Sequence, residues 1–128
     1  MKIALIILLI SCTVLCADVR PATGQIYYIP FHVETYEAIT QANIKQKAFY
    51  KFEVNDRDKL SALLQLLAGV GEASSFGDNR VRLLVVSDKK QIFVDAEGNV
   101  FDGKKTHRLN HGNFDKLKTL LSELVKTP

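Results

Sequence analysis

Two histidines, His107 and His111, stand four residues apart in the last quarter of the chain. On a helix that spacing puts both imidazoles on one face, where they can share a metal. Gly112 and Asn113 follow them, however, and mark a helix start with Asn113 as its cap, so both histidines belong to a loop and solvate a turn. A second candidate is the oxygen-bearing run Asp95, Glu97, Asn99 and Asp102. The calcium loop of an EF-hand wants glycine at its sixth position and glutamate at its twelfth. Counted from Asp95, Gly98 is fourth and Val100 is sixth. A hairpin connection with Gly98 at a positive φ explains the run with less strain. Neither a metal nor any other cofactor is expected.

Covalent chemistry finds no better footing. Ser61 and Ser122 fall within helical stretches, Ser74 and Ser75 lie in a glycine-flanked loop, and none sits in a Gly-x-Ser-x-Gly elbow. His32 has Glu34 nearby, a pairing too common to define a triad with a distant serine. Gly69-Val70-Gly71 follows a helix, the wrong end for cradling phosphate. An enzyme reading rests on His107 or His111 as the acid–base group of a small envelope hydrolase. The residues themselves favour no catalytic set.

Interaction chemistry is more promising. Three of the four tyrosines, Tyr27, Tyr28 and Tyr36, crowd into ten positions together with Phe31. Tyrosine joins a large apolar face to a polar tip, a combination favoured at protein interfaces. Pro30 has no N–H for a ladder, so the strand that carries these rings belongs at a sheet edge or breaks there. Strict alternation places Tyr27, Ile29 and Phe31 on one face, Tyr28 and Pro30 on the other. Tyr27, Tyr28, Phe31 and Tyr36 are accordingly the expected binding surface, an aromatic edge for docking or strand addition.

The elements that must position these residues follow from periodicity. Gln25 to Val33 reads as a strand, and Thr40 to Ile44 as a short helical turn capped by Thr40. Lys47 to Val54 alternates, with Ala48, Tyr50, Phe52 and Val54 inward. A helix follows, capped by Asn55 or Asp56, with Leu60, Leu63, Leu64, Leu67 and Val70 as its stripe and Gly69 and Gly71 as left-handed stops. Glu72 to Asn79 reads as a polar loop. Arg80 to Ser87 is apolar on both faces and therefore central. Gln91 to Val94 and Asn99 to Phe101 flank the hairpin, and the last helix carries Phe114, Leu117, Leu120, Leu121, Leu124 and Val125 on one stripe. The order is β-β-α-β-β-β-α, to which a short strand near Thr106 to Leu109 adds a sixth strand. This predicts an α+β fold, a small, mainly antiparallel sheet with two amphipathic helices on one face.

The N-terminus is of a different kind. Met1 and Lys2 precede an unbroken apolar run, Ile3 to Ile10, and polarity returns at Ala17-Asp18. Charged start, apolar stretch and small residues make the layout of a secretory signal, too short for a spanning helix. Residues 1–16 are thus expected to be a removed leader and 17–128 a single domain. Leu9-Ile10-Ser11-Cys12 also resembles a bacterial lipobox, which leaves open a form tethered by lipid on Cys12. The two cysteines, Cys12 and Cys16, both lie in or beside the leader, so the mature domain has no internal disulfide. Charge is nearly balanced, with 17 basic against 14 acidic residues, interleaved along the chain. Nucleic acid is a poor partner for such a surface. Small, exported and without a visible catalytic set, the chain is similar in class to bacterial envelope inhibitors and immunity proteins. The expectation is a periplasmic or secreted module with a protein partner first and a small-molecule or lipid ligand second.

Overall fold

Leu83 to Val86 have no polar face to give to water, and the fold accordingly covers both sides of the strand that carries them. The computed structural model describes residues 23–126 apart from Val70 and Lys89. The expected leader, with Cys12 and Cys16, lies outside the described residues, as does Val70 of the first leucine stripe. The strands are β1 (Gly24–Tyr28), β2 (Tyr50–Val54), β3 (Glu72–Ala73), β4 (Val81–Ser87), β5 (Lys90–Asp95), β6 (Asn99–Phe101) and β7 (Thr106–Arg108). They form one antiparallel sheet in the order β2-β1-β4-β5-β6-β7-β3. The helices are α1 (Ile44–Lys47), α2 (Arg57–Leu67) and α3 (His111–Lys126). The α+β class is as expected, with β4 interior between β1 and β5.

The leucine stripes of α2 and α3 close one face. Leu60, Leu63 and Leu67 meet Leu117, Leu121 and Leu124 over Ile26, Leu83, Val85, Val94 and Val100. Full burial of each such side chain stabilises the fold by about 1.5–3 kcal/mol. Leu64 and Leu120, expected among the core residues, are only half-buried at its margin. The opposite face gathers Ile29, Ile39, Ile44, Val81, Leu84 and Phe93 beneath the 29–49 crossover, in which α1 supplies Ile44. The crossover is fastened by a parallel bridge between Ile39 and Arg80.

Several boundaries differ from expectation for local reasons. Asp56 caps α2, its Oδ1 accepting from the N–H groups of Asp58 and Lys59 at 2.9 and 3.2 Å. Asn110, not Asn113, caps α3: its Oδ1 accepts from Asn113 N–H at 2.8 Å, so the helix opens at His111. Gly69 is not a left-handed stop, because α2 ends through Ala68 at φ −85°. Gly71 serves close approach instead, since a Cβ there would lie 2.0 Å from the Arg108 carbonyl oxygen. That approach creates β3, a two-residue strand inside the expected polar loop, paired with β7. Gly98 does sit at positive φ, +89°, in the expected β5–β6 hairpin.

Candidate functional site: an aromatic cleft with a basic rim

Pro30 ends β1 by breaking the ladder. Ile29 still donates its N–H to the Arg82 carbonyl at 2.8 Å, and the chain then turns, with Val33 N–H donating to the Pro30 carbonyl at 3.1 Å. The turn overrides alternation: Phe31 swings to the helix side beside Tyr28, while Ile29 and Tyr27 stay on the opposite face. The alternation-based pairing of Phe31 with Tyr27 is therefore incorrect. The edge assignment is also revised, because β1 is paired on both sides and β2 forms the edge. Beneath the turn lies Arg82, 1% exposed at a bulge of β4. Its Nη1 donates to the Val81 carbonyl at 3.0 Å and its Nη2 to the Val33 carbonyl at 3.1 Å, strapping the loop to the sheet. Burial lowers the Arg82 pKa, as does neighbouring Arg80, while Glu34 opposes them. The guanidinium remains protonated.

The turn starts a run of aromatic rings from the sheet edge to α3. Tyr50, opening β2, stacks on Tyr28 with centroids 6.1 Å apart and planes at 30°. Tyr28 meets Phe31 at 5.7 Å, and Phe31 meets Phe114 of α3 edge-on at 5.0 Å and 84°. Lys118 Nζ then sits 4.2 Å above the Phe114 ring, a cation–π contact. Burial raises the Tyr28 pKa, with a smaller contribution from Tyr50, so the phenol stays neutral.

A cleft of about 440 Å³ opens over these rings. Tyr28, Phe31, Tyr50 and Val125 give it an apolar wall; His32, Lys118, Ser122 and Lys126 give it polar tips; Pro30 and Ala96 complete the lining. Among the described residues no aspartate or glutamate lines it. Two amines and an imidazole around apolar rings suit a group that is negative at one end and apolar at the other.

Of the expected binding residues, Tyr28 and Phe31 share this cleft. Tyr27 is half-buried on the far face, its hydroxyl donating to Gln25 Oε1 at 3.0 Å. Tyr36 is fully exposed in the crossover and does not line the cleft. Sequence reasoning missed His32, Tyr50, Lys118, Ser122 and Lys126. One signal was available for the helix: Lys118, Ser122 and Lys126 recur every four residues, which sets them on one helical face.

The other candidates are dispersed. His107 lies on β7 opposite Val100 and Ala73, and His111 is exposed at the start of α3. Among the described residues no group of three metal-capable side chains comes together. Asp95 is a turn brace: its carboxylate accepts from the backbone N–H groups of Gly77, Glu97 and Asn99, each at 2.9 Å, and from Asn99 Nδ2 at 2.8 Å. Asp102 accepts from the N–H groups of Lys104 and Lys105, and these bonds hold its pKa below the ordinary value. Among the described residues no helix is long and apolar enough to cross a membrane. No protein-family model, curated protein or solved structure matches the chain.

Proposed function

We propose that this chain is an exported protein-binding module that docks its partner in the cleft between the β1 turn, β2 and α3. The observation that carries the reading is the cleft's lining: Tyr28, Phe31 and Tyr50 beside His32, Lys118 and Lys126, with no acidic residue among the described ones. Aromatic anchors beside two lysine amines form the kind of site in which a few residues supply most of the binding energy. The expected partner is an acidic segment that places an apolar or aromatic side chain against the rings and a carboxylate at the rim. Export rests on the leader-like order of residues 1–16, and the class it suggests is an inhibitor or immunity-type protein of a bacterial envelope. A small anionic ligand is the second reading, favoured by a volume within the ordinary range of small-molecule sites.

A photo-crosslinking residue at exposed Ser122 on the cleft, compared with one at exposed Gln65 on α2, tests the proposal in the protein's native extracellular or envelope fraction. A protein adduct from position 122 and none from 65 is expected. Equal labelling from both positions, or none from 122, contradicts cleft docking. An adduct of small-molecule mass at 122 selects the second reading.

A further inference from the structure

We infer that β2 is a self-pairing edge, through which two copies of this chain join into one continuous antiparallel sheet. β2 ends the strand order on one side and is paired only with β1 among the described strands. Such an edge offers unpaired N–H and C=O groups to another strand. The residues of β2 also select the occupant. Phe52 and Val54 pack on the helix face, Tyr50 joins them there by stacking on Tyr28, and Lys51 and Glu53 are exposed on the other face.

A twofold axis normal to the sheet pairs two such strands antiparallel and keeps each face with its like. Centred on Phe52, it sets Tyr50 opposite Val54 of the second copy and Lys51 opposite Glu53, twice over. The nearest registers that preserve the faces are centred on Lys51 or Glu53, and they oppose lysine to lysine or glutamate to glutamate. Opposite charges directly across a ladder stabilise it and like charges destabilise it, so the edge is complementary to itself in one register. That register also aligns all five residues of β2. Tyr50, the first residue of β2, is 41% exposed and Phe49 just before it is 58% exposed, apolar surface that a second copy on this edge would cover. Tyr50 belongs both to this edge and to the cleft wall, whereas Lys51 and Glu53 do not line the cleft, so charge changes at those two positions test the pairing without altering the cleft's lining.

The test is sedimentation of the protein from roughly 1 µM to 1 mM, a span that reaches weak strand-mediated dimers. Wild type is expected to pass from monomer to dimer. Lys51→Glu and Glu53→Lys each create like-charge pairs and weaken the dimer by about tenfold or more. The double swap Lys51→Glu/Glu53→Lys recovers it, and an equal mixture of the two single variants forms mixed dimers. Both positions are exposed, so circular dichroism of the variants should match wild type. A protein that stays monomeric throughout overturns the inference, and so does a dimer that neither single variant weakens.

Discussion

Asp95 shows what one buried carboxylate does for this fold. It is 3% exposed, and its four accepted hydrogen bonds tie the β5–β6 turn to the loop before β4. Asp95→Ala orphans those donors, and leaving buried polar groups unpaired is costly. A loss of about 2–4 kcal/mol is expected in urea unfolding; a loss below about 0.5 kcal/mol, the scale of a neutral surface change, would contradict the brace. Tyr28 makes a pH-dependent prediction. Its folded pKa is raised above the ordinary 10.0, so the folded state holds the phenolic proton longer than the unfolded chain. Its contribution to stability is complete below pH 10.0 and is lost as pH rises from there through the folded value. Alkaline unfolding should therefore be milder in Tyr28→Phe, and phenolate absorbance in wild type should show one tyrosine ionising late. Identical alkaline limbs would contradict it. At this scale the sequence was partly legible. Asp95 could be read as a turn residue because oxygen side chains beside Gly98 suit a hairpin, whereas Arg82 gave no sign that it would be buried, since its carbonyl acceptor on Val33 is 49 positions away.

At the scale of elements, periodicity located the helices better than their ends. The stripes of α2 and α3 were visible as leucines at helical spacing, but depth within a stripe depends on where the helix axis lies over the sheet. Leu121 is fully buried and Leu120 is half-buried, though both fit the pattern. Leu121→Ala should cost about 2–5 kcal/mol, the range for buried leucine truncation. Leu120→Ala should cost clearly less. Equal losses by thermal unfolding would show that the helix is rotated from the orientation described. Asn110→Ala should cost about 1 kcal/mol by removing the α3 cap, an effect absent if Asn113 were the cap. The two-residue β3 was not legible because it depends on Gly71 meeting the Arg108 backbone, a contact between segments far apart in sequence. The same holds for the turn at Pro30. The proline announced a break, but the direction in which Phe31 left the strand was set by Arg82 and β4 from below.

At the scale of the molecule, one end of the sheet and the 118–126 stretch of α3 together line a cleft that neither forms alone. The aromatic half of that site was visible as crowded tyrosines, whereas its basic half was dispersed over the last helix and His32. Tyr36, the fully exposed ring, belongs to the same sequence cluster but not to the cleft. It therefore separates a reading based on exposed aromatics from one based on the cleft. The most direct measurement is the dissociation constant of the partner recovered by crosslinking at position 122, for wild type, Lys118→Glu/Lys126→Glu and Tyr36→Ala. Charge reversal at the rim should weaken binding by about a hundredfold, on the scale of lost interfacial charge pairs, and flatten its salt dependence, while Tyr36→Ala stays within about twofold of wild type. An unchanged constant in the rim variant, or a larger loss in Tyr36→Ala than at the rim, would contradict the cleft as the docking site.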